Sequence, residues 1–164
     1  MSVIPAGASA PPFELPGIDG GRYSLQEALR EGPVLAAFFK ISCPTSQFTF
    51  PFLQRMYKAF GGGKLKFWAV SQDDARDTRD FCAEYGVTFT ALTDGERYPA
   101  SHAYGLTNVP SIFLIGQDGM VRVSSVGFSR GDLEAINEFA AQSSGKAATP
   151  LFRAGEVIPE TKHG

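Results

Sequence analysis

A small three-layer α/β domain is the fold class this sequence predicts, on three observations. The chain has 164 residues, 43% hydrophobic and 20% charged, enough for one core of ordinary size without disulfide staples. Val34 to Phe39 (VLAAFF) is an unbroken apolar run, the pattern of a strand buried on both faces of a central sheet. Segments with strand and helix periodicity alternate along the rest of the chain.

The elements follow in order. Ala10 to Ile18 (APPFELPGI) is short, apolar and rich in proline, and Asp19-Gly20-Gly21 turns after it, so an edge hairpin is predicted. Ser24-x-x-Glu27 has the form of a capping box and opens a helix of one or two turns. After the buried strand, Pro44 to Phe60 reads as a helix, with Phe48, Phe52, Met56 and Phe60 recurring every four residues. Pro51 is expected to kink it, and Gly61-Gly62-Gly63 ends it. Leu65 to Ser71 is the next strand and Asp73 to Tyr85 the next helix, closed by Gly86. In its first turns, Arg76 is set to pair with Asp80. Val87 to Leu92 alternates as a strand, a short helix spans Tyr98 to Tyr104, and Ser111–Ile115 with Met120–Gly127 form a hairpin. Ser129 to Gln142 is an amphipathic helix, with Leu133, Ile136, Phe139 and Ala140 on one face. Residues 1–142 are therefore read as the domain, and the polar stretch 143–164, with Pro150 and Pro159, as an extended or mobile tail.

Composition excludes several function classes. Fifteen Lys and Arg against seventeen Asp and Glu give a net charge of -2, which argues against a general nucleic-acid or anionic-membrane binder. The only cysteines are Cys43 and Cys82, and the only histidines His102 and His163, too few and too scattered for a disulfide framework or a metal site. No metal or cofactor is expected, and His102 reads as a satisfied or exposed side chain. The leading MSVIPAGASAPP has no basic stretch and no long apolar run, and no segment approaches the length of a membrane span. A cytoplasmic location is the expectation.

The chemistry concentrates where the first buried strand ends. Cys43 follows VLAAFFKIS and precedes the predicted helix, with Pro44 at the position where a missing N–H costs nothing. Functional sites of open α/β sheets lie beyond the carboxyl ends of the strands. A helix N-terminus presents unpaired N–H groups and partial positive charge, which stabilise a thiolate, the nucleophilic form of cysteine.

Phe38 to Ser46 (FFKISCPTS) resembles the F-W-x-x-W-C-x-x-C segment of the thioredoxin superfamily, and Asn108 to Ile115 (NVPSIFLI) resembles its cis-proline loop and following strand. The opening APPFELPGIDGGRYSLQEAL is similar to the start of the larger redoxin branch, which includes cytochrome-maturation thioredoxins and peroxiredoxins. The resemblance covers about residues 10–142. It implies a mixed central sheet with an N-terminal hairpin and an inserted strand and helix. It also implies an active site in which Pro110, after Val109, packs against Cys43, with Lys40, Ser42, Pro44 and Thr45 shaping its surroundings.

The departures from the family pattern bear on mechanism. Ser46 stands where a second cysteine would complete C-x-x-C, Ala37 where thioredoxins carry a buried proton-transferring Asp, and Ser42 where they carry Trp. The resemblance thus implies thiol-disulfide chemistry from one thiolate, with a protein disulfide or thiol as partner and an external thiol reductant or Cys82 releasing the mixed disulfide. Peroxiredoxins, the alternative branch, also use one cysteine, and some carry Cys-Pro-Thr as Cys43-Pro44-Thr45 does here. Their substrate would be a small hydroperoxide. They need a Thr where Lys40 stands and an Arg near the later loop; Lys40 or Arg122 is the available substitute. The segment around Cys82 (DFCAEYG) resembles a helix that bears a resolving cysteine in some peroxiredoxins, yet its helical spacing with Ala75, Thr78 and Tyr85 equally makes it a core residue. A third reading is a non-catalytic binding or redox-sensing module.

Overall fold

The computed structural model describes residues 2–164; Met1 lies outside the described residues. β1 (Glu14–Pro16) and β2 (Arg22–Ser24) form the expected antiparallel hairpin, and α1 (Leu25–Glu31) begins where the Ser24 hydroxyl accepts the Glu27 N–H at 3.3 Å. β3 (Val34–Phe39), α2 (Pro44–Phe60), β4 (Lys66–Ser71), α3 (Ala75–Tyr85) and β5 (Thr90–Thr93) follow, then α4 (Pro99–Ala103), β6 (Ser111–Ile115), β7 (Val121–Val126), β8 (Phe128–Ser129), α5 (Arg130–Ser144) and β9 (Thr161–Lys162).

The central sheet has the order β5-β4-β3-β6-β7, with β3, β4 and β5 parallel, β6 antiparallel to β3, and β7 antiparallel to β6. The all-apolar sequence of β3 is explained by its central place. Leu35, Ala37 and Phe39 meet the layer built from α2, α3 and α5, while Val34, Ala36 and Phe38 meet α1, α4 and the hairpin. Side chains of each parity are thus buried, each fully buried large one contributing about 1.5–3 kcal/mol. Both sheet edges are covered. The N-terminal segment runs along β7, with Gly7 N–H donating to Val121 O and Ala10 N–H to Gly119 O, and Gly17 bridges to Leu92 beside β5.

The structure departs from the sequence expectations at four places. The strand expected over 87–92 starts only at Thr90 and ends at Thr93. Val87 N–H is spent on the Cys82 carbonyl in closing α3, and Thr88 is held by Gln54, which accepts its N–H at 2.9 Å and donates to its hydroxyl at 2.7 Å. α3 begins at Ala75 rather than Asp73, because Asp74 is its N-cap, accepting the Asp77 N–H at 2.8 Å. The Arg76–Asp80 pair is not among the ion pairs of the described residues; the neighbouring Arg79 reaches the Ile18 carbonyl at 2.7 Å instead. The stretch after α5 is tied down: Leu151 is buried, Phe152 packs on Phe52, Arg55 grips Glu156 with two hydrogen bonds of 2.8 and 2.9 Å, and β9 pairs antiparallel with β8. Among the described residues, no helix is long and apolar enough to cross a membrane.

Candidate active site

Cys43 is the N-cap of α2, just beyond the carboxyl end of β3. Its half-buried Sγ accepts the Ser46 N–H at 3.3 Å and donates to the Val109 carbonyl at 3.4 Å. One donor and one acceptor hold the sulfur in place, and the donor belongs to the first turn of the helix, where backbone N–H groups have no partner within the helix. The turn that delivers it is braced from both ends. Cys43 N–H donates to Lys40 O at 3.2 Å, Gln47 Nε2 to Ile41 O at 2.9 Å, and Ile41 N–H to the Asp73 carboxylate at 2.8 Å.

Val109 and Pro110 come to the sulfur from the loop before β6, and the Val109–Pro110 peptide bond is cis. Pro110 is buried, its carbonyl accepts the Gly127 N–H at 2.8 Å, and Ser111 Oγ donates to Asn108 O at 2.7 Å to close the loop. Thr45 is buried next to Cys43, and its hydroxyl donates to the His163 carbonyl at 2.5 Å. Pro44 occupies the first helical position and is exposed, as is Ser42. Lys40 lines a cleft of about 320 Å³ with Tyr98, His102, Asn108 and Val109. His102 itself is exposed there.

Ser46 is fully buried, and its Oγ is the buried side-chain polar atom without a hydrogen-bond partner among the described residues. An orphaned buried hydroxyl costs about 1–3 kcal/mol. A thiol, a far weaker hydrogen-bonding group, would carry less of that penalty. The pocket is therefore better suited to sulfur than to the oxygen it holds. Ala37, beneath, is buried in the sheet opposite Ile112 and Ala69, so no proton-carrying side chain reaches the sulfur from that position.

The other candidates lie elsewhere. Arg122 is no substitute cation for Cys43: it pairs with Asp118 at 3.1 Å in the β6–β7 turn, at the end of the sheet where β3 begins. Cys82 is buried in the core cluster and borders a cavity lined by Ile18, Asp19 and residues 87–91, surroundings it does not share with Cys43. Burial pushes its thiol above the ordinary cysteine range, which disfavours the nucleophilic form. Phe50 and Phe60 are core, whereas Phe48 is half-buried and meets Phe128 edge to face with ring centroids 5.0 Å apart. A cavity of about 540 Å³ lies at the other end of the strands among Tyr23, Lys64, Lys66 and Trp68, and neither cysteine lines it.

Sequence reading misses three features of this site. The return of residues 161–164 to Thr45 and Val109 has no local signal, because a two-residue strand carries no periodicity. The orphaned Ser46 hydroxyl depends on burial that only the packed helix reveals. Buried Asp94 is also unannounced; it accepts from Ala100 N, Ser101 N and Ser101 Oγ and so fixes the start of α4, one wall of the Lys40 cleft.

Similarity to known proteins points the same way as this arrangement. The thiol-disulfide oxidoreductase ResA of Geobacillus thermodenitrificans (strain NG80-2) is 24% identical over 122 residues, covering 74% of this chain and 69% of that protein. The thioredoxin-like protein YneN of Bacillus subtilis (strain 168) is 27% identical over 128 residues, covering 76% and 73%. Among solved structures, one described as the thiol:disulfide interchange protein DsbE of Chlorobium tepidum superposes with a TM-score of 0.73 at 27% identity, covering 85% of this chain and 96% of that one. With a mixed thioredoxin-like sheet, a cysteine capping the helix after its central strand, and a match to the AhpC/TSA family over residues 6–124, the chain belongs to that family and is a thiol-disulfide oxidoreductase-like redoxin.

Proposed function

We propose that the chain exchanges disulfides through the single thiolate of Cys43. The observation that carries this reading is the seat of Cys43: it caps α2, takes the Ser46 N–H, and lies against the carbonyl that precedes cis-Pro110. In the first step the Cys43 thiolate attacks one sulfur of a partner disulfide. A Cys43–partner disulfide forms, and the partner's other sulfur leaves as a thiolate that takes a proton from water. With Ser46 in place of a second thiol, no neighbour within the motif can attack that mixed disulfide. An external thiolate attacks the partner's sulfur instead, which returns Cys43 as thiolate and leaves a partner–external disulfide. A second external thiolate attacks the external sulfur of that disulfide, so the partner's second thiolate leaves and the external pair ends as a disulfide. Two electrons pass from the external thiol pair to the partner, and Cys43 ends as it began. Relatives described as thiol-disulfide oxidoreductases support this reading.

The test is reduction of a protein disulfide with glutathione as the only reductant. Cys43→Ser is expected to abolish turnover, and full turnover in that variant would end the proposal. A second reading, hydroperoxide reduction, is favoured by the AhpC/TSA match and the Cys43-Pro44-Thr45 sequence. There the thiolate takes the terminal oxygen of ROOH, becoming a sulfenate while ROH leaves, and two thiols return it as water and a disulfide. Its measurement is hydroperoxide consumption per Cys43 under the same thiol. Rapid oxidation of Cys43 at stoichiometric peroxide would favour it.

A further inference from the structure

Resting on the thiol-exchange reading, we propose that residues 160–164 are a built-in strap that occupies the place of an extended partner chain beside Cys43 and competes with it. Four observations place the strap. β9 pairs antiparallel with β8, Lys162 opposite Phe128 and Thr161 opposite Ser129, and the Glu160 carbonyl accepts the Arg130 N–H at 2.9 Å. The His163 carbonyl then takes the hydroxyl of Thr45, two residues from the thiol. Gly164 lies against Val109 so closely that a β carbon on it would overlap the Val109 carbonyl, the same oxygen that receives the Cys43 thiol. Lys162 Nζ lies 5.5 Å from the centre of the ring of half-buried Phe48 in α2. Gly127 accommodates this approach: its φ is +73°, and a β carbon there would come within 2.6 Å of the Lys162 carbonyl.

Strand addition along β8, with the chain passing over Val109, is how a polypeptide would be held by main-chain hydrogen bonds at this edge. The strap uses those contacts itself. It is also built to leave. Residues 159–164 are exposed, and their contacts are a handful of hydrogen bonds, so local opening costs far less than unfolding. The anchor lies upstream, where Leu151 is buried and Arg55 holds Glu156. Tethered by only a few residues, the strap is present at its own groove at an effective concentration on the order of millimolar. A partner must exceed that concentration or bind more tightly to reach Cys43. A small reagent need not displace it, because the strap's contacts are with Thr45 and Val109 rather than with the sulfur.

The experiment compares two probes with the same leaving group: 5,5′-dithiobis(2-nitrobenzoate), and an extended ten-residue peptide whose central cysteine carries thionitrobenzoate. Labelling of Cys43 is followed by mass in the full chain, in a chain with residues 160–164 deleted, and in Gly164→Leu, which disturbs only the strap's end. Deletion is expected to speed the peptide reaction about tenfold or more, and Gly164→Leu about threefold, with the small disulfide changed less than about twofold. If Cys43 reacts with both probes and neither change alters the peptide rate, the strap is overturned and the exchange reading stands. If Cys43 reacts with neither probe in any chain, the exchange reading falls and the strap with it.

Discussion

Cys43 lies between two regions held by different physics. The first turns of α2 are embedded: Thr45, Ser46, Thr49 and Phe50 are all buried, and the Phe50 ring contacts Phe39, Phe81 and Phe89. Residues 153–164, which return to the same thiol from the other side, are largely exposed and held by hydrogen bonds and one two-pronged ion pair. Packing fixes the Cys43 thiol, while polar contacts that water can replace fix what covers it. A rigid thiol with a removable cover follows from that contrast, and each of the changes below strains one side of it.

The largest effect is expected on the embedded side. Phe50→Ala should cost about 3–5 kcal/mol of stability in urea unfolding, since the ring is fully buried among three others. Ser46→Ala works in the other direction. Removing the orphaned hydroxyl should raise stability by about 1 kcal/mol in the same assay, and a loss would show that the Oγ is satisfied. Ser46→Cys should also be tolerated, and on oxidation the new thiol should join Cys43, seen as an intact-mass loss of two hydrogens.

On the loosely held side the effects are smaller and depend on pH. The Arg55 guanidinium and the Arg153 N–H hold the Glu156 carboxyl down at about 2. A carboxyl lowered on folding stabilises the bound form above its unfolded pKa, and that contribution is lost as pH falls through the folded value. The anchor should therefore be intact above about pH 4.5 and fade as pH falls toward 2. The readout is exchange of the Arg130 amide, which the Glu160 carbonyl protects. Glu156→Gln should raise that exchange severalfold at neutral pH with little change in overall stability, because exposed ion pairs contribute little to folding.

Much of the embedded side is legible in the sequence because its signals are local. The six apolar residues of β3, the four-residue recurrence from Phe48 to Phe60, and Pro44 after Cys43 each specify an element and a boundary, and the structure places α2 at Pro44–Phe60. The start of β5 is not legible, because the Cys82 carbonyl and the Gln54 side chain, both outside that strand, decide which amides of 87–89 are free to pair. The docking of 145–164 is likewise non-local. Its polar composition signals solvent, and only the folded surface supplies Phe52, Arg55 and β8 for it to meet. At the site itself, the structure brings Cys43 to the Val109 carbonyl and Thr45 to the His163 carbonyl, whereas the place of Arg122 at the far turn depends on strand direction.

Cys82 sharpens the comparison further. Its buried thiol, raised by desolvation, should be alkylated by iodoacetamide at least about tenfold more slowly than half-buried Cys43 at neutral pH. Comparable rates would place Cys82 in an open environment that the core packing does not provide.

The central claim is that one thiol, Cys43, carries the exchange chemistry. Its most direct measurement is the intact mass of the reduced chain after exposure to a small excess of oxidised glutathione, with the modified residue located by digestion. The predicted result is one glutathione held on Cys43, stable until an external thiol is added and then fully released. A chain that instead loses two hydrogens by joining Cys43 to Cys82, or that carries the glutathione on Cys82 with Cys43 untouched, would contradict the account.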